Sequence, residues 1–499
     1  MQKKQTILVV ASLLVVVLSV TLAYFTAQII GKGKDISVSS ADLKIVFTDT
    51  DGNIEGSNIT PGWSNSKTFT VKNESNGTYK YDIIIKDLVN TFKTYKYLEY
   101  KITSTDGGYN MTDYSYLPKS NTKEDVALAY EISIDKGKTH TYTIEIKYVN
   151  DEVIDQSIDM GQSLSGTIYI REFTKPTMKL TDKLMAENPT IGTRTTFTAF
   201  TETNTGTLYK ATEQIGTNPV KDVYYFAGDA KNNWVKFAGF YWRIIRTNAD
   251  GSIKLLYAGT SPDTEKAYIG ESAFNTTKND LMYVGYKYGT TGSLENNRLN
   301  TNDSTIKTYV DNWYKNNLVD YTKYLSKDAV YCNDRNLASG QTYSTTSSFN
   351  YAPYERISIN KQPTYNCTNM SDAFSVNNTS AKLDYPIGLM SIDELSYAGG
   401  QAFTTLDAPY AWYYTNANGE SSYGGTAFWA LSPNGWFVSY SRVWVVNGSA
   451  YPGRSSNGNV GDSFAVRPSV SLSSCNLISR GDGSPENPYV VYTGSGVCE

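Results

Sequence analysis

From residue 35 to residue 172 the chain alternates apolar and polar positions. Leu43, Ile45 and Phe47; Phe69 and Val71; Tyr81, Ile83 and Ile85; Leu98, Tyr100 and Ile102; Leu128, Tyr130, Ile132 and Ile134; Tyr142, Ile144, Ile146 and Tyr148; and Ile168 and Ile170 all stand between polar neighbours. A period of two places each set on one face of a strand. Short strands of this kind, divided by Gly, Asn and Asp turns, predict a β-sandwich over 35–172, of jelly-roll or immunoglobulin-like form.

The pattern changes on either side. Residues 7–25 are almost wholly apolar and follow Lys3 and Lys4, which is the layout of a signal peptide or of an N-terminal helix anchoring the chain in a membrane. Residues 1–30 are assigned to that segment. Thr21-Leu22-Ala23 carries small residues where a signal peptidase reads, so cleavage is expected after Ala23. Either outcome exports the rest of the chain. Residues 173–205 turn to Thr, Asn and Pro around one short helical piece, 180–187, stopped before Pro189. That composition predicts a linker open to proteolysis.

Residues 206–499 mix both periods, which predicts one α+β domain and makes the whole chain multidomain and mainly β. Strands are expected at 223–226, 234–237 and 241–246, and the Asn248-Ala249-Asp250-Gly251 turn should fold the last of these onto 253–257. A helix is expected over 304–318, capped by Asp303 or Ser304, with Ile306, Val310, Trp313 and Tyr314 on one face. Ser391-Ile392-Asp393-Glu394 reads as a capping box opening a second helix that Gly399-Gly400 ends. From 424 to 472, short strands rich in Trp and Tyr alternate with Gly, Asn, Pro and Ser turns.

Two sets of spaced matches support a family reading of each half. Ser40 to Ile45, Thr60-Pro61-Gly62 followed by Phe69 to Asn73, Gly161 to Ile168, and Leu22 to Thr26 resemble the TasA/camelysin family of exported β-sandwich proteins. That resemblance implies a dedicated signal peptidase and self-assembly into a biofilm-matrix fibre. The metallopeptidase label carried by some members does not transfer, because no HExxH-like arrangement is present. Tyr241 to Arg246, Asp311 to Tyr314, Cys332 to Arg335, Pro386 to Gly400 and Val466-Arg467-Pro468 resemble a domain of Gram-positive surface proteins. That second resemblance implies a C-type-lectin-like fold, distantly similar to the formylglycine-generating enzymes.

Composition narrows the function. The 45 basic residues against 49 acidic, with no basic run beyond the extreme N-terminus, argue against nucleic acid as a partner. The single histidine, His140, lies in an alternating strand and reads as an ordinary strand residue. The four cysteines, 332, 367, 475 and 498, have no zinc-knuckle or redox-pair spacing and fit disulfides in an oxidising compartment. Three pairings are open; Cys332 with Cys367 and Cys475 with Cys498 close the shortest loops. Ser432 has neither a nucleophile elbow nor a histidine partner, and the 481–488 tail lacks calcium-loop spacing. No catalytic set, no metal site and no cofactor are therefore expected. Binding is the class left. Tyr and Trp give rigid contact area while Ser, Asn and Gly give adaptable hydrogen bonding. Trp436, Tyr440, Arg442, Trp444, Tyr451 and Arg454 are the candidate exposed contacts for a surface glycan or protein, as in adhesion, whereas Trp429 and Arg467 are expected to be structural.

Overall fold

The computed structural model describes residues 26–30, 36–40, 43–49, 54–57, 59–203, 205–494 and 496–498. The apolar segment 7–25, with its expected helix and the cleavage position at Ala23, lies outside the described residues. The chain is mainly β and divides into two compact units, Met1–Lys175 and Pro176–Glu499.

The first unit contains a five-stranded and a six-stranded sheet. The five-stranded sheet runs in the order Ile54–Ser57, Thr26–Ile30, Ser163–Glu172, Tyr79–Asn90, Ser120–Ile134. The other runs Ile36–Ser40, Leu43–Asp49, Ser64–Asn73, Thr139–Tyr148, Leu98–Ser104, Ser115–Tyr116. One core serves both sheets: Phe69, Val71, Tyr142, Ile144 and Ile146 from one join Tyr81, Ile83, Leu128, Ile168 and Ile170 from the other. The alternation acts directly here, since every second residue of Thr139–Tyr148 is buried. His140 is one of the buried set. Its Nδ1 lies 2.9 Å from the Tyr81 hydroxyl, which is 2.6 Å from the Tyr142 hydroxyl.

The second unit is built on a ten-stranded sheet. Its centre is Phe240–Thr247, paired with Ile253–Tyr257 across the expected turn, where Gly251 takes φ +81°. Ile253–Tyr257 pairs in turn with Pro468–Leu472. Residues 178–193 belong to the packing of this unit. The helix Leu180–Glu187 buries Leu180 and Leu184, and the Leu180 amide donates to Asn476 O at 3.0 Å. Thr190–Thr193 then adds a parallel strand to Thr207–Glu213.

The helix Thr305–Asn317 begins where Ser304 Oγ accepts from the Lys307 amide, and it buries Ile306, Val310 and Tyr314. Ile392–Tyr397 opens with both halves of the capping box, Ser391 to the Glu394 amide and Glu394 back to the Ser391 amide. The disulfides are Cys332–Cys367 and Cys475–Cys498.

Candidate ligand-binding site

The aromatic region folds as three antiparallel strands, Phe428–Trp436, Ser441–Val446 and Ser455–Asn459, joined by turns at 437–440 and 447–454. Trp429 is core, as expected: its indole donates to Ser272 O at 2.8 Å and its ring packs edge-on against Phe274 and Phe464. Two of the candidate contacts need correction. Trp444 is 0 % exposed and Trp436 3 %. Trp444 is covered by Phe403 and Tyr354, with ring centroids 5.6 and 6.2 Å away, and Trp436 is paired across strands with Phe349. Their burial comes from segments distant in sequence, which local alternation does not report.

The other four candidates form two separate groups. Arg442 lies half-buried over Phe437 at 3.9 Å and Tyr440 at 5.0 Å and donates to the Tyr440 hydroxyl at 2.8 Å. Tyr451 is 51 % exposed, with Arg454 over its ring at 5.0 Å. The two groups sit at opposite ends of Ser441–Val446, roughly 20 Å apart at strand rise. The six residues therefore do not make one continuous face.

A groove that the sequence reading missed is better formed. It has a volume of about 460 Å³, within the range of small-molecule and peptide sites. Three loop systems meet there. The first is the 214–220 turn after Thr207–Glu213, pinned by hydrogen bonds between Gln214, Gly216 and Cys367. The second is the Asn248–Gly251 turn, and the third comprises 328–330 with 370–378. Ile215, Pro219, Val330 and Met370 give it apolar wall; Asp250, Asp328 and Glu213 give it acidic groups. No local motif marks this site. Its walls are single residues from separate turns, brought together by the Cys332–Cys367 disulfide and the hairpins.

Beneath the groove is a buried ionic cluster. Arg246 bonds Glu213 at 2.8 Å and Glu394 at 3.0 Å, and Lys254 bonds Glu394 at 2.7 Å, all almost fully buried. Beside them Arg356 bridges Asp334 at 2.7 Å and Asp393 at 3.0 Å. Burial would raise the Glu394 carboxyl, but Lys254 and Arg246 outweigh it and hold the pKa below the usual carboxylate value. Burial lowers the Lys254 pKa, with Glu394 opposing. The space among these groups is about 20 Å³, enough for one water. The cluster is thus a paired floor that holds Glu213 and the capping-box helix in place, with no room for a substrate.

Asp303, Asp311 and Asp384 converge within 4.8 Å of one another, the spacing of a cation site. Lys307 Nζ already occupies the centre, at 3.2, 2.5 and 2.9 Å from them. Despite its burial, these carboxylates hold the Lys307 ammonium above the ordinary lysine pKa. Ser432 is buried and its hydroxyl accepts from the Ile392 amide at 3.0 Å, a structural task. The molecule these observations define is a mainly β protein of two units, the second closed by two disulfides, with a preformed groove. No family model and no curated protein matches the chain.

Proposed function

We propose that the chain is an exported, non-catalytic protein of the cell surface or extracellular matrix that binds a glycan or protein ligand through its second unit. The first unit is read as a TasA/camelysin-like β-sandwich of jelly-roll or immunoglobulin-like form, and the second as C-type-lectin-like. If residues 7–25 are retained, the chain is membrane-anchored. The two disulfides fit the oxidising compartment this reading requires. One observation carries the binding assignment: a groove of about 460 Å³ whose floor is held by paired, buried charges. A rigid floor spares the ordering cost that weakens binding at mobile surfaces.

The test is a glycan and peptide array probed with the full chain. Asn218→Trp and Asn377→Trp fill the groove from exposed rim positions. They should weaken the captured ligand at least tenfold, Asn218→Trp without moving the melting temperature and Asn377→Trp with loss of its bond to Asp328, while Tyr440→Ala and Tyr451→Ala spare it. The reverse pattern would return binding to the aromatic turns. A second reading, a fibre subunit assembling through the first unit, is favoured by the exposed Val153 at 90 % and Met160 at 53 %, with Ile154 and Ile158 beside them.

A further inference from the structure

Resting on the reading of the groove as the binding seat, we infer that its ligand is an extended peptide segment presenting a lysine side chain. The groove has an acidic and an apolar part. In the first, Asp250 and Asp328 are held together through Ser326, whose hydroxyl donates to Asp250 Oδ2 at 2.5 Å and accepts from the Asp328 amide at 3.2 Å. Asn377 fixes the second carboxylate by donating to Asp328 Oδ1 at 2.7 Å. Both aspartates are exposed; Asp250 Oδ1 accepts from the Ser252 amide at 2.9 Å and hydroxyl at 2.5 Å, and among the described residues no ion pair reaches either carboxylate. The second part is apolar. Met370, 40 % exposed, lies against the 214–220 turn with Ile215 and Pro219. A side chain at Gly216 would meet the Met370 sulfur at 2.7 Å, so the glycine keeps that thioether in the wall.

Asn248, 6 % exposed, also lines the groove. Its amide nitrogen is turned to Ser252 and Ser471, at 2.8 and 3.2 Å, and its side-chain oxygen has no donor. A buried acceptor left open is costly, and this one is reached only if the Asn248 amide turns toward the groove. The surface therefore offers carboxylate acceptors beside an apolar wall. A lysine matches this with a four-carbon stem and an ammonium carrying three donors. Anions are disfavoured, because Asp250 and Asp328 are exposed in the lining while the Glu213 charge is already met by Arg246. A sugar is disfavoured too, because no aromatic ring among the described residues lines the groove to stack on it. The peptide bonds flanking the lysine find the side-chain amides of Asn218 and Asn377 on the rim.

The experiment labels methionine methyl groups with carbon-13 in the full chain and assigns Met370 by Met370→Leu. The probes are the capped tripeptides acetyl-Gly-Lys-Gly-amide, its norleucine analogue and its glutamate analogue. The lysine peptide should shift the Met370 methyl signal saturably at millimolar concentration, and the other two should not. Asp328→Asn, which leaves the bonds of Asp250 in place, should weaken the lysine peptide about fivefold, and Asp250→Asn with Asp328→Asn at least tenfold, with the melting temperature checked for each. If the norleucine peptide shifts Met370 as strongly, or the aspartate variants bind lysine peptide like the parent, the cation assignment is overturned while the groove stands as a binding seat. If no peptide moves Met370, the lysine assignment is overturned. If, in addition, Asn218→Trp leaves array binding unchanged, the groove reading falls with it.

Discussion

The two units bury different chemistry. The first is an aliphatic and tyrosine core enclosed by regular strands, and its one arginine, Arg171, is exposed. The second buries Arg243, Arg246, Arg335 and Arg467, each at most 3 % exposed. Three of these serve backbone carbonyls in loops and at the ends of short elements. Arg335 donates to Lys287 O, Asn297 O and Ser371 O as well as to Asn300 Oδ1 and Asp372. Arg467 donates to Tyr257 O and Tyr413 O, and Arg243 to Ala230 O and Thr415 O. Strands satisfy their own carbonyls by pairing, so the first unit needs no such device. Long irregular segments leave carbonyls inside the fold, and a planar guanidinium with five donors closes several at once.

The strongest way to break this comparison is Arg335→Met, similar in length but without donors. It strands the carbonyls named above and leaves Asp372 to Arg298, at 2.7 Å, which should cost about 3–5 kcal/mol and lower the transition of the second unit while the first melts unchanged. Calorimetry resolves the two, because only the transition of the second unit responds to reduction of the disulfides. Unchanged melting would mean that the arginines do not hold the loops. Next in size is Trp444→Ala, expected to cost about 3 kcal/mol through loss of a buried ring, against less than about 0.5 kcal/mol for Tyr451→Ala, in urea unfolding followed by fluorescence. Equal costs would show that Phe403 and Tyr354 do not seal Trp444.

The smallest effect sharpens the other side. Burial lowers the His140 pKa in the first unit, with Asp106 and Asp135 opposing. The neutral imidazole is thus the folded form, and its contribution is full above the unfolded value of about 6.5 and lost as pH falls from there through the folded value. The first transition should weaken over that window, and His140→Gln should flatten the loss relative to the parent.

Legibility in the sequence divides along the same line. Thr139–Tyr148 was readable because its periodicity is itself the burial pattern. The Ser391 capping box and the shortest-loop disulfides were readable because their rules act over short separations. Trp444 was misread as exposed because a Trp among Gly, Asn and Ser looks the same whether or not Phe403 covers it. The groove was invisible for a related reason: Asn248, Asp328 and Met370 carry no common motif, and only tertiary closure makes them neighbours.

The junction at the start of the second unit has a mechanical consequence. Ile478 donates to Met178 O and Leu180 to Asn476 O, next to Cys475, which is bonded to Cys498. Close by in the chain, Tyr489–Val491 lies parallel to Trp234–Phe237 in the large sheet. Tension entering the unit at residue 176 therefore first meets hydrogen bonds to a segment that is itself covalently cross-linked. The groove loops come later in the chain, after Thr207–Glu213, so the junction is loaded before them.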